Sequence, residues 1–336
     1  MVGVARRAEA IDEALSVGAV DWVTLSLAEG VAGADLVVVA TPVRSIAPLV
    51  CEMAPHLKPG AVVTDVGSTK SELCRAIWEE VGDRVCFVGG HPMAGSERDG
   101  VLAADPYLFQ NAPYVVVPPP WGAEDATRLV EEMARRAGAR PIRMEAQEHD
   151  AIVAAVSHLP HVVAAALVLA AAEQEAKHPL LLQLAAGGFR DTTRVASGPE
   201  EVWREICLSN AGPILEAIDS FERALARFKA ALRSRDGEAL TQALAEARCV
   251  RRSVPAKAKG IVGDVYDAVV HVVDRPGVIH EVTGIVGRRG INIIDIEILR
   301  VREGEGGTLR LGFERLSDLD EAVRLLREAG YQVRPR

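Results

Sequence analysis

The residue best placed for proton transfer is His91, in Gly89-Gly-His-Pro-Met-Ala-Gly95. Two glycines let the backbone approach a ligand and the following proline fixes it, so the imidazole is held at a predicted strand end. An imidazole titrating near pH 6.5 can accept a proton at neutral pH, which makes His91 a candidate general base. Ser68, at the neighbouring strand end, can hydrogen-bond the histidine or a substrate hydroxyl, or cap a helix. Thr69 with Glu72 fits the S/T-x-x-E capping box, which frees Ser68 from that task. In Ser157-His-Leu-Pro-His161, helical spacing puts Ser157 and His161 on one face and His158 on another. Buried histidines need polar partners, so His161 is expected to face a polar cavity. In Gly187-Gly-Phe-Arg-Asp-Thr-Thr-Arg194, Arg190 and Arg194 lie one turn apart and Asp191 is spaced to pair with Arg194. Such an arginine fork grips a carboxylate or ties helices together. No metal site is expected, because the H-E-x-x-H glutamate is absent and the cysteines lack ligand spacing.

These residues need a scaffold. Apolar runs Asp35–Ala40, Ala61–Asp65, Val85–Val88 and Tyr114–Val117 alternate with helical stretches, the pattern of a parallel sheet covered on both faces. Ligands bind beyond the carboxyl ends of such strands, at Thr41-Pro42, Gly67-Ser68 and Gly89-Gly90-His91. The reading is an α/β chain with a Rossmann-like domain over 1–146 and an all-helical domain over 147–253. A linker over 254–264 leads to a unit over 265–336 with the strand, helix, strand, strand, helix, strand order of a ferredoxin-like βαββαβ fold.

With 336 residues and 49% hydrophobic content the chain can fill two or three cores. A net charge of −9 argues against nucleic acid. Cys51, Cys74, Cys86, Cys207 and Cys249 form no C-x-x-C pair and suit a reducing compartment. No leader pattern is seen at the start, so a cytoplasmic protein is expected. The apolar stretch Ile152 to Ala172 is interrupted by Ser157, His158, Pro160 and His161, which argues against a membrane and for a helix buried in a homodimer.

Five segments, Val39-Ala-Thr-Pro-Val43, Val63-Thr-Asp-Val-Gly-Ser68, Gly89-Gly-His-Pro-Met-Ala-Gly-Ser-Glu97, Ser157-His-Leu-Pro-His161 and Gly187-Gly-Phe-Arg-Asp-Thr-Thr-Arg194, resemble in order and spacing the prephenate dehydrogenase family. The last seventy or so residues resemble an ACT domain, with Asp274-Arg-Pro-Gly-Val278 as its ligand-loop signature and Gly290-Ile-Asn-Ile293 opening its second strand. The resemblance implies oxidative decarboxylation of prephenate to 4-hydroxyphenylpyruvate in tyrosine biosynthesis, with arogenate as the alternative substrate. It further implies that His91 takes the ring hydroxyl proton, Ser68 supports it, Arg194 holds a carboxylate and Asp191 orients Arg194. Ser157 and His161 line the pocket and Glu97 gates it. Tyrosine is the implied effector, at Asp274, Pro276, Gly277 and Asn292.

One element departs from the family pattern. A dinucleotide site uses a strand and G-x-G-x-x-G turn, whereas Met1-Val-Gly-Val-Ala-Arg-Arg7 matches the second strand, and Gly30 and Gly33 have the wrong spacing. The expectation is a chain lacking roughly thirty residues of a first βα unit. The cofactor, NAD, is expected at Thr41, Pro42, Gly67 and Ser68. Ala5 stands where a ribose-binding acid belongs, and with Arg6 and Arg7 beside it NADP is the variant reading. A non-enzymatic amino-acid-binding regulator is the competing class.

Overall fold

The structure, a computed structural model, describes all residues except 8, 96–99, 176, 255–265, 274, 300–306 and 336. The chain divides into two compact units, Met1–Ala256 and Lys257–Arg336.

In the first unit, β1 (Val2–Val4) and β2 (Trp22–Thr24) form a separate two-stranded parallel sheet. The strands β3 (Leu36–Val39), β4 (Val62–Asp65), β5 (Cys86–Pro92), β6 (Pro113–Val117) and β7 (Arg140–Arg143) follow one another across a five-stranded sheet. Valine-rich runs suit a sheet buried on both faces, and side-chain alternation sends neighbours to opposite cores. Val63 and Phe87 pack with Ile46, Val50, Cys74 and Ile77 on one side. Val62 and Val88 pack with Tyr114, Val116, Val130 and Ala134 on the other.

The expected all-parallel order fails at one step, because β6 runs antiparallel to β5, pairing His91 with Val115. A parallel return needs a crossover of a dozen or more residues, usually a helix. Only a short 3-10 turn, Val101–Ala103, is seen among the described residues between these strands. The reversal brings the His91 end of β5 beside the start of β6.

The helical part begins with a continuous run, Ala146–Val153, a π-helical turn Ala154–His158, and Leu159–Glu175. It is long and apolar enough to cross a membrane by length and composition alone. The predicted interruptions do not break it. The wide π turn lies just ahead of Pro160, whose ring and missing N–H an ordinary α-turn accommodates poorly. Helices Gly187–Thr193, Glu200–Ser209, Ala211–Ser234 and Gly237–Ser253 complete the unit.

The second unit has β8 (Tyr266–Val272), β9 (Asp295–Leu299), β10 (Gly307–Phe313) and β11 (Gln332–Pro335) in the antiparallel order β11-β8-β10-β9. Helices Val278–Gly287 and Leu316–Glu328 cover one face through Val282, Val286 and Leu326, against Val270, Leu309, Leu311 and Phe313. On the other face Arg310 pairs with Asp267, 3.0 Å away, and Asp295, 2.8 Å away.

Candidate active site

His91 sits in β5 and is buried. Its Nδ1 lies 2.8 Å from His149 Nε2, and His149 Nδ1 lies 2.7 Å from Asp150 Oδ1. An ionised carboxylate only accepts, so it places a proton on His149 Nδ1. His149 Nε2 then accepts from His91 Nδ1–H, leaving the lone pair on His91 Nε2 as the basic site. Burial, reinforced by the nearby His149, Lys70 and His158, holds the His91 pKa well below the ordinary imidazole value. The ring is therefore neutral and ready to accept a proton at physiological pH.

Asp150 also explains how the helix after Ser68 starts. The expected Thr69–Glu72 capping box does not form: helix Ser71–Val81 has no side-chain cap from its N-cap residue, and Thr69 Oγ1 instead meets Ser209 Oγ at 2.9 Å. The amides of Lys70 and Ser71 donate to Asp150 Oδ1 and Oδ2, each at 2.8 Å. A charged acceptor on a helix N-terminus satisfies open donors and meets the favourable end of the helix dipole better than a distant hydroxyl. Burial opposes ionisation of Asp150, but bonds from His149, Ser71 and Lys70 outweigh it and hold its pKa below the usual value.

In the second histidine group His158, expected on a different face from Ser157 and His161, is buried; its Nδ1 lies 3.1 Å from Asn210 Nδ2, which also donates to the Asp150 carbonyl at 2.9 Å. Since Asn210 donates there, His158 Nδ1 is the acceptor and the ring is neutral. Its pKa falls to about 4, chiefly through burial, which the Asp150 charge opposes and His149 and His161 reinforce. His161 stacks on Trp203, with ring centroids 3.5 Å apart and planes 11° apart. Its Nδ1 is buried without a hydrogen-bond partner among the described residues.

The other predicted residues are spread around this centre. Ser68 is half-buried and its hydroxyl has no hydrogen bond among the described residues, neither to His91 nor to a helix amide. Ser157 is half-buried in the π turn. Arg194 opens a 3-10 turn after helix Gly187–Thr193 and is exposed. Asp191 is exposed, and the helix ends between it and Arg194, so the α-helical spacing on which their pairing was expected does not apply. Glu97 and Asp274 lie outside the described residues. In the second unit Pro276, Gly277 and Asn292 are exposed, with Gly277 at φ 87°, a left-handed conformation that suits glycine. Asp65, Lys70, His149, Asp150, Trp203 and Asn210 escaped sequence reasoning. The one visible signal was the His149-Asp150 dipeptide, which in a helical first turn reads as a solvated face.

The residues expected to hold a nicotinamide cofactor lie at the sheet's carboxyl edge and beside β1. Thr41 Oγ1, after β3, is buried without a partner among the described residues, with Pro42 beside it. At Gly67, a Cβ would come within 2.8 Å of Asp65 Oδ2, so that turn stays bare of side chain. Exposed Arg6 and Arg7 follow β1. The turn leaving β1 contains no glycine.

A neutral buried histidine with an oriented lone pair, next to a bare strand-end turn on a doubly wound sheet, defines a nicotinamide-dependent dehydrogenase with an appended βαββαβ domain. The family profile for the prephenate dehydrogenase nucleotide-binding domain matches residues 1–143, and that for the prephenate dehydrogenase dimerization domain matches 145–246. The ACT domain profile matches 266–329. Prephenate dehydrogenase of Bacillus subtilis is 36% identical over 323 residues, 96% of this chain and 87% of the relative. The structure of A. aeolicus prephenate dehydrogenase with hydroxyphenyl propionate and NAD+ superposes with TM-score 0.70 at 31% identity, covering 75% of this chain and 88% of that one. Synechocystis arogenate dehydrogenase superposes with TM-score 0.67 at 29% identity, covering 75% and 90%. The chain belongs to the prephenate dehydrogenase family.

Proposed function

We propose that this chain oxidises and decarboxylates prephenate to 4-hydroxyphenylpyruvate, with NAD as hydride acceptor, in tyrosine biosynthesis. The observation that carries the reading is the hydrogen-bonded line Asp150–His149–His91, which leaves His91 Nε2 as its one uncommitted basic nitrogen among the described residues. NAD, when bound, would supply the acceptor for the hydride that leaves the ring carbon bearing the hydroxyl. His91 Nε2 accepts the hydroxyl proton as the C–O bond becomes a carbonyl. The electrons of the bond to the ring carboxylate then flow through the ring to that oxygen as carbon dioxide leaves. His91 returns the proton to the phenolate, so no net proton is taken up. Ser68, whose hydroxyl has no hydrogen bond among the described residues, supports the reacting oxygen, and Arg194 holds a substrate carboxylate. Thr41, Pro42, Gly67 and Ser68 would hold the nicotinamide end, and Arg6 would meet the ribose.

The test is turnover of prephenate and of arogenate at equal enzyme concentration, following reduced nicotinamide and carbon dioxide. Equimolar release of both from prephenate supports the reading. Preference for arogenate moves the assignment to the amino substrate named for the Synechocystis relative. Nucleotide-independent tyrosine binding without turnover overturns the enzymatic reading.

The ACT unit is proposed to bind tyrosine near Pro276, Gly277 and Asn292. The exposed apolar residues Ile152, Val156 and Leu169 of the long helix are proposed to meet a second copy, in keeping with the dimerization-domain match. The unpaired cysteines suit a cytoplasmic setting.

A further inference from the structure

Beneath the Ser68 turn and the His91 strand lies a wholly buried ion pair that no proton-transfer step uses. Lys70 and Asp65 are both at 0% side-chain exposure, and Lys70 Nζ donates to Asp65 Oδ2. Desolvating two charges costs several kcal/mol per ion, and a packed apolar pair in the same space is often as stable or more so. Stability alone therefore does not account for it.

Its hydrogen bonds indicate a different role. Asp65 Oδ2 accepts from the Gly67 amide at 2.7 Å, and Oδ1 accepts from the Gly90 amide at 3.0 Å. Gly67 immediately precedes Ser68, and Gly90 immediately precedes His91. One carboxylate thus grips the backbone of two separate strand ends, each one residue short of a group assigned to the reacting hydroxyl. Lys70 extends the grip: its amide donates at 2.8 Å to Asp150 Oδ1, the oxygen that also faces His149 Nδ1. The surroundings leave little slack. A Cβ at Gly90 would lie 2.4 Å from the Asp65 carbonyl oxygen, and one at Gly89 would lie 3.2 Å from Lys70 Cδ and 2.9 Å from Cys74 Sγ.

We propose that Asp65 and Lys70 are positioning residues: the Asp65 carboxylate clasps the Ser68 turn to the His91 strand, and Lys70 ties that clasp to the Asp150 end of the histidine line. The clasp fixes the separation of the two groups that meet the substrate hydroxyl while leaving the carboxylate contacts of the substrate elsewhere. This rests on the dehydrogenase reading for its kinetic consequence and on geometry alone for its structural one.

Two variants test it. The double variant D65N/K70M removes both buried charges together, and asparagine presents an NH2 donor in place of one of the two oxygens that accept from the Gly67 and Gly90 amides. The single variant D65E keeps both charges but lengthens the fork by one methylene. In each, kcat for prephenate is expected to fall about a hundredfold, the scale of a misplacement near one ångström, with KM changed less than about threefold. Amide exchange, read at Gly67 and Gly90 without substrate, is expected to accelerate at both positions together in the double variant. A purely structural pair would instead shift kcat and KM together with the melting temperature. That result, unchanged kcat, or faster exchange at only one glycine overturns the clasp. If D65N/K70M does not fold, D65E carries the kinetic and exchange tests. Coupled exchange in a wild-type protein that does not turn over prephenate supports the clasp and removes only the functional reading.

Discussion

His91 Nδ1 and His149 Nε2 lie 2.8 Å apart with their rings inclined at 76°, so the proposed base is oriented by a second histidine from the helical part of the same unit. Replacing His91 with alanine removes the group of this line proposed to take the hydroxyl proton. The expected loss in kcat is about a hundred- to ten-thousand-fold, measured by steady-state turnover of prephenate. A loss under tenfold would assign the proton transfer elsewhere.

Asp150→Asn keeps the shape but presents an amide donor or a weaker acceptor to His149, disturbing the proton order along the line. A fall in kcat of about a hundredfold or more is expected, by the logic of an acid that orients a catalytic imidazole. The charged cap on Lys70 and Ser71 is weakened in the same variant, so the melt should show a loss of about 0.5–2 kcal/mol. An unchanged kcat with this stability loss would make Asp150 a cap alone.

The acid limb follows from the sign of the shifts. His91 and His158 have folded-state pKa values below the ordinary 6.5, that of His158 about 4. The unfolded chain therefore binds protons at these positions before the folded one does. Stability is fully present above pH 6.5 and declines as pH falls from 6.5 toward 4. His158 alone accounts for about 3 kcal/mol across that window. Denaturant melts at pH 7, 6, 5 and 4.5 check this, and His158→Gln should flatten the decline. The same depression predicts that kcat/KM stays level through pH 6.5 and drops only at lower pH.

Asn210 is buried and its Nδ2 serves the Asp150 carbonyl and His158 Nδ1 at once. Asn210→Ala strands two buried acceptors, each worth about 1–3 kcal/mol, and should cost about 2–4 kcal/mol in equilibrium unfolding. A change below about 0.5 kcal/mol would mean that water replaces the amide.

Arg194→Lys preserves charge but loses the planar fork that suits a carboxylate. KM for prephenate is expected to rise about tenfold or more with kcat nearly retained. A kcat effect without a KM effect would place Arg194 at the transition state.

The sequence alone determined the local elements and pointed to His91 as the candidate base. Uninterrupted valine runs suit strands buried on both faces and the alanine- and leucine-rich stretch after 146 suits a helix, whereas the glycine pair before His91, expected to lie past a strand ending at Val88, continues β5 as far as Pro92 because β6 pairs with it there. The sequence expectations rest on periodicity and turn chemistry, which act within a few residues. Tertiary structure alone decided what surrounds the base. His149 and Asp150 are 58 residues or more along the chain from His91, and as an adjacent His-Asp pair in a helix's first turn they carry no sign of burial. Asp65 reads as a strand end, Lys70 as a helix start and Asn210 as a break between helices, yet each becomes a buried hydrogen-bonding hub. The thwarted capping box has the same cause: a nearby glutamate competes for helix amides over a few residues, but the fold brings in a distant carboxylate with better geometry and full desolvation. Spacing along the chain identifies residues able to do chemistry. Their protonation and orientation depend on charges and donors that only folding brings within 3 Å.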